Sequence, residues 1–392
     1  MKRRILRLTA YIGLVIQITP LFADSPEWQF LGDYESFFRN HISQESILGG
    51  AYVVVNDEKI VHVGTIGHTD TGRNQPINEN TAFRVASVSK TFAAGLAGVL
   101  VSEGEFQWDD SVTQYVPDFR INGDSSQVRI RHLLGQSTGL MPHAYDNLIE
   151  DGLAMDRIRK QFRKLSYICS PGQCYSYQNS VFSLIEPVIE QATSQSYASL
   201  MVQKIFQPLD MRNASVGYEA FVNNPNHAKP HVLIRDGTWK TVPVLPNYYR
   251  VAPAAGVNAS VLDMGKWLMA QLGSHPEVIT PELVDTLTRP RVETTREVYR
   301  RHWKNLLTDA HYGLGWRIYQ IGEHQIAYHS GWVSGYRADV AWSQEYGLGF
   351  AILLNAETNT INELTTTFWE MAFTGIEAEM NAQELVQLQT SY

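Results

Sequence analysis

The pattern of apolar and polar positions is clearest near the two ends of the chain. Residues 28–43 carry apolar side chains at helical spacing, as expected of an amphipathic helix. The runs Ala51-Tyr52-Val53-Val54-Val55 and Lys59-Ile60-Val61-His62-Val63 flank the turn-forming Asn56-Asp57-Glu58, the pattern of a β-hairpin. Comparable strand-like runs return only near the other end, over Ile326–His329, Ala338–Trp342 and Leu348–Leu354, followed by helical periodicity over residues 361–375. The middle reads mainly as helices and loops. Strands at both ends with helices between predict an α+β fold, with an antiparallel sheet from both termini, flanking helices and an inserted, mainly helical region. The sheet-bearing part is expected over about 24–90 and about 290–392, and the helical part over about 91–289.

One helix stands apart. From Thr91 to Val101 no residue is charged, and a helix that is apolar all round is a buried one. Gly104 is positioned to end it. Ser87, Ser89 and Lys90 lie at its N-terminal end.

Composition narrows the field. The chain has 392 residues, 44% of them hydrophobic and 11% aromatic, enough to build a large core and to exclude a disordered or fibrous chain. The net charge is −8, with no basic stripe, so nucleic acid is not an expected partner. Residues 1–23 combine Lys2, Arg3, Arg4 and Arg7 with the apolar run Leu8–Ile18 and a cleavage position after Ala23. This is the pattern of a signal peptide and predicts a mature domain over 24–392, periplasmic or secreted. The alternatives are a membrane anchor or an N-terminal core helix, but the apolar run is short of the roughly 20 residues a span needs. The only cysteines, Cys169 and Cys174, bracket Ser170-Pro171-Gly172-Gln173. Outside the cytoplasm they could close a local disulfide, or they could remain two unlinked thiols. They are too few for a structural zinc site.

Ser87-Val88-Ser89-Lys90 is a Ser-x-x-Lys element. On a helix its two ends share a face, so the amine can take or relay the hydroxyl proton. An amine at the end of a buried apolar helix is partly desolvated, which favours its neutral form. The first-turn N–H groups have no helical partner, so that of Ser87 can donate to an oxyanion. The bare motif also arises by chance, and context must support it. Gly135-Gln136-Ser137-Thr138-Gly139 is a rival, matching the Gly-x-Ser-x-Gly nucleophile elbow, which requires a preceding strand. Here Arg131-His132-Leu133-Leu134 precedes it and reads as helical, so a Gly-rich turn ending a helix is expected instead. In Tyr177-Gln178-Asn179, Tyr and Asn two apart in extended backbone face one side. His329-Ser330-Gly331 ends a strand-like run, and Gly331 suggests a strand edge that another backbone approaches closely.

In order along the chain, Ser87-x-x-Lys90, Tyr177-x-Asn179 and His329-Ser330-Gly331 resemble the three motifs of the serine β-lactamase and penicillin-binding protein superfamily, nearest its class C and DD-peptidase-like branch. Supporting segments include Phe83-Arg84-Val85-Ala86, Ser137-Thr138-Gly139-Leu140 and Tyr312-Gly313-Leu314-Gly315-Trp316. The resemblance implies catalytic roles for Ser87 as acylated nucleophile, Lys90 as proton acceptor or relay, and Tyr177 as general base. It implies substrate binding by Asn179, His329, Ser330 and Gly331. The N–H groups of Ser87 and Trp332 would form the oxyanion hole. His329 departs from the Lys that many members carry there. A largely neutral His weakens the case for an efficient β-lactamase and fits peptidase-like or esterase-like members. Arg337 is an alternative partner for a substrate carboxylate. The expected protein is a serine hydrolase without metal or organic cofactor, acting on a small molecule or peptidoglycan-like peptide through an acyl-enzyme. The alternatives are a non-catalytic penicillin-binding or sensor protein on the same fold, and an α/β-hydrolase acting through Ser137.

Overall fold

The computed structural model describes residues 28–72 and 75–390; the expected leader, residues 1–23, lies outside them. Eight strands form one antiparallel sheet. From the N-terminal part come β1 (Gly49–Val55) and β2 (Ile60–Gly67). The other six are β3 (Val292–Glu293), β4 (Leu307–Tyr312), β5 (Arg317–Ile321), β6 (His324–Val333), β7 (Tyr336–Ser343) and β8 (Leu348–Leu354). Their spatial order is β2-β1-β8-β7-β6-β5-β4-β3. The two ends of the chain therefore meet inside the sheet, where Val53 of β1 lies opposite Ala351 of β8. Every residue of β1 and β8 is buried, because helices cover both faces of the sheet there.

On one face lie α1 (Phe30–Gln44) and the C-terminal helix Thr360–Thr390, with Tyr34, Phe38 and Phe368 packed on Tyr52 and Phe350. Phe350 and Phe368 stack with ring centroids 4.0 Å apart. The opposite face carries α2 (Ser89–Ser102), buried on nearly every side as its uncharged sequence predicts. It also carries α3 (Val261–Gln271), whose N-terminus is closed by a capping box between Ser260 and Asp263. Gly95 admits the Trp267 ring, which would lie 2.6 Å from any Cβ there. Phe92 stacks on the same ring at 4.4 Å.

The middle of the chain differs from a simple helical insert. Helix α3 packs directly on β1 and β8, and Gly265 lies against Val53 and Val55. Strands β3, β4 and β5 are additional to the expected runs. β4 carries the polar Thr308, Asp309 and His311 on partly exposed positions, and β3 and β5 are short, which hides the strand pattern. Among the described residues, no helix is long and apolar enough to cross a membrane.

Candidate active site

Ser87 lies in a single 3-10 turn, Ala86–Val88, that feeds straight into α2. Ala86 before it has φ +49°, a left-handed conformation that non-glycine residues seldom adopt. Val88 donates the first turn bond, to the Val85 carbonyl, so the Ser87 N–H lies ahead of any intrahelical acceptor. The Ser87 side chain is half-buried, whereas Lys90 is fully buried.

Lys90 Nζ lies 2.8 Å from Asn179 Oδ1, 3.0 Å from the Ala254 carbonyl and 3.3 Å from Ser87 Oγ. The first two partners only accept, so they take two N–H bonds and leave the third direction for Ser87. Burial holds the amine well below the usual lysine range; Asp146 opposes this and Arg317 adds to it. In the neutral amine the lone pair therefore faces the Ser87 hydroxyl. Tyr177 hydrogen-bonds Ser87 through its hydroxyl and presents its ring 4.7 Å from Lys90 Nζ. Burial pushes the phenol up, and Arg317 and the Ser87 bond pull it back. With the phenol protonated and the amine neutral, Lys90 is the group placed to take the Ser87 proton, and Tyr177 is placed to pass one on.

The Gly-x-Ser-x-Gly segment is not an elbow. The helix Ile130–Leu134 precedes it, and Ser137 is buried with its N–H donated to the His132 carbonyl. It serves as a cradle instead. Gln136 clamps the backbone of Gln178 at both its N–H (2.8 Å) and its carbonyl (3.1 Å), which fixes Tyr177 and Asn179 on either side. Cys169 and Cys174 are joined in a disulfide, and the loop they close docks on the same cradle through Ile168 to Gly139 and Gly172 to Ser137.

The third motif lies inside β6, not at its end. Val333 faces Tyr336 across the two-residue turn Ser334-Gly335, so Val333, Gly331 and His329 bond to β7. Ser330 and Trp332 turn their N–H groups to the other side. There β5 pairs only as far as Tyr328, so the edge from His329 onward is open. An extended substrate can add to this edge, and the strand packs against the turn that carries Ser87. Gly331 permits the approach, since a Cβ would lie 2.1 Å from the Val85 carbonyl. The Trp332 ring is 59% exposed and donates to Glu357 at 3.0 Å. Arg337 stacks on that ring at 4.7 Å and donates to Asn359, so it is already engaged.

His329 is fully buried. Its Nδ1 lies 2.8 Å from the Ser330 carbonyl and its Nε2 lies 3.1 Å from the Tyr312 hydroxyl. A carbonyl only accepts, so Nδ1 carries the proton and Nε2 accepts from Tyr312. Burial, Arg317 and Lys90 all hold the imidazole well below its ordinary pKa, and it is uncharged.

Several residues of the site have no motif to announce them. Asp146 accepts from Asn179 Nδ2 at 2.9 Å and lies 3.0 Å from His143 Nδ1. Gln136 holds the Tyr177 segment. Arg317, buried at the start of β5, faces Tyr177 with its guanidinium 5.6 Å from the ring centroid. Only the positive φ of Ala86, Gln136, His143 and Tyr145 around the site hints at a built geometry, and sequence does not reveal it.

A family model described as Beta-lactamase matches residues 34–368. A protein named Beta-lactamase from Escherichia coli strain K12 is 25% identical over 277 residues, which is 71% of this chain and 67% of that protein. A protein named Protein flp from Staphylococcus aureus strain COL is 20% identical over 346 residues, covering 84% of this chain and 64% of its own length. The match thus spans about two thirds of these relatives. The octameric penicillin-binding protein homologue from Pyrococcus abyssi shares the fold, with TM-score 0.77 and 21% identity over 87% of this chain and 77% of that one.

Proposed function

The chain belongs to the beta-lactamase family, and from that premise we propose that it is an exported serine hydrolase forming an acyl-enzyme on Ser87. The observation that carries this reading is the convergence of Ser87, Lys90, Tyr177 and Asn179 beside an open strand edge. In the first step Ser87 Oγ bonds to the carbonyl carbon of an ester or amide as its proton passes to Lys90 Nζ. The carbonyl oxygen takes up negative charge before the N–H groups of Ser87 and Trp332. Collapse expels the alcohol or amine, which receives the proton from the Lys90–Tyr177 pair. Water then attacks the acyl carbon by the same route, releasing the acid and restoring Ser87. The basic and apolar residues 1–23 support export.

The substrate class follows from His329. An uncharged imidazole with both nitrogens occupied offers nothing to a substrate carboxylate, and Arg337 is engaged elsewhere. This favours a carboxylic ester over a β-lactam or D-Ala-type peptide. The test is a panel of p-nitrophenyl acetate, nitrocefin and a D-Ala-D-Ala peptide on the mature protein, with labelling by fluorescent penicillin and a fluorophosphonate. Turnover of the ester, and labelling lost in Ser87→Ala but kept in Ser137→Ala, is the expected result. Labelling that survives Ser87→Ala rejects the nucleophile. Stable acylation with no turnover of any substrate supports a non-catalytic binding or sensor protein instead.

A further inference from the structure

We propose that Arg317, anchored by Glu297, is the fixed cation of this site: a positioning residue that favours the proton-accepting form of Lys90 beside Ser87, in place of a charge on the third motif. The proposal rests on Ser87 being the nucleophile. Arg317 opens β5 opposite Tyr328 of β6 and Tyr312 of β4, so it lies on the strand beside the third motif, where β6 becomes an open edge. Its Nη1 is 3.0 Å from Glu297 Oε1. Its guanidinium carbon is 5.6 Å from the Tyr177 ring centroid, 5.7 Å from that of Tyr312 and 5.8 Å from that of Tyr175. The three aromatic rings and its own strand shield it from water, so it acts by its field and not by touching substrate.

The direction of that field is the same everywhere. Arg317 lowers the proton affinity of Tyr177, of Lys90 and of His329. The other groups facing Tyr177 do not supply this. Tyr175 and Asp146 oppose the loss of its proton, and Tyr312 and Tyr248 are coupled to it as neutral phenols. His329 is uncharged, and the His143 ring, 5.6 Å away, faces solvent and pairs with Asp146. Glu297 is held down to about 2 by Arg317 and Arg300, against the burial that would raise it, so the anchor stays ionised. No such role can be filled by His329, which leaves Arg317 as the buried cation among these groups.

The test is the pH dependence of fluorophosphonate modification of Ser87, which reads activation of the hydroxyl without a known substrate. In Arg317→Gln the rising limb of the rate should move to higher pH by about one unit. Arg317→Lys should return it most of the way. Because Arg317→Gln leaves Glu297 to Arg300 and Tyr319 alone and could fail to fold, Arg317→Gln/Glu297→Gln removes both charges and should show the same displacement. A folded double variant whose limb stays at the wild-type pH overturns the proposal, as does Arg317→Lys behaving like Arg317→Gln. Failure of the nucleophile reading is separate, since it appears as labelling that persists in Ser87→Ala.

Discussion

Lys90 Nζ lies 3.3 Å from Ser87 Oγ, one turn along the same helix start, with its other two directions filled by Asn179 and the Ala254 carbonyl. The amine is thus aimed by two fixed acceptors. Lys90→Met keeps the volume and removes the base. Its rate of Ser87 labelling should fall by about 10³-fold, within the range of a lost general base. Labelling within a few-fold of wild type would remove Lys90 from the chemistry.

Gly331 is a point of close approach between β6 and the residues leading into the Ser87 turn. A methyl group there would meet the Val85 carbonyl at 2.1 Å and Ala86 Cβ at 3.2 Å. Neither is a flexible side-chain end, so Gly331→Ala must push the strand edge and the nucleophile apart. Overpacking of this kind costs about 1–3 kcal/mol. Activity should fall by far more than stability, because the Trp332 N–H moves from the developing oxyanion. Parallel measurement of labelling rate and thermal unfolding checks the ratio.

Asp339 offers a stability test behind the site. It pairs with Ser330 across β6 and β7 and accepts from Thr365 at 2.7 Å. Burial raises its carboxyl to about 7, against the lowering effects of the Thr365 bond and Arg300. A raised carboxyl keeps its proton in the fold after the unfolded chain has lost it. Its contribution is therefore full at acid pH and drains away as pH climbs from about 4 to about 7. Asp339→Asn keeps an acceptor for Thr365 and does not ionise. Its stability relative to wild type should rise through that window by about 2–4 kcal/mol and then level off. Denaturant midpoints from pH 4 to pH 8, as a range of about four units, measure it; a flat difference would refute the buried ionisation.

The Cys169–Cys174 bridge closes a loop whose ends lie five positions apart in sequence. A loop that short restrains the unfolded chain by only about 2 kcal/mol. Its larger effect is local, since Ile168 and Gly172 dock on the cradle that carries Tyr177. Cys169→Ser/Cys174→Ser should lower the unfolding temperature by a few degrees and slow Ser87 labelling several-fold. A loss of stability with an unchanged labelling rate would limit the bridge to the unfolded state.

What the sequence determined by itself is local. The hairpin at residues 51–63, the buried uncharged helix after Ser87, and the late strands all follow from side-chain period and the positions of turn residues. Three short motifs, spaced far apart, identified the family. Strands β3, β4 and β5 escaped because β3 and β5 are short and β4 carries exposed polar residues, so none shows a long apolar pattern. What only the tertiary structure decided is which distant residues meet. Gln136 reaches Gln178 across 42 positions of chain, Asp146 reaches Asn179 across 33, and Arg317 reaches Tyr177 across more than a hundred. Even His329, legible as part of a motif, takes its neutral state from burial and from Tyr312. Periodicity records which face of an element turns inward. It carries no record of the partner that face will find, and the charge states around Ser87 depend on those partners.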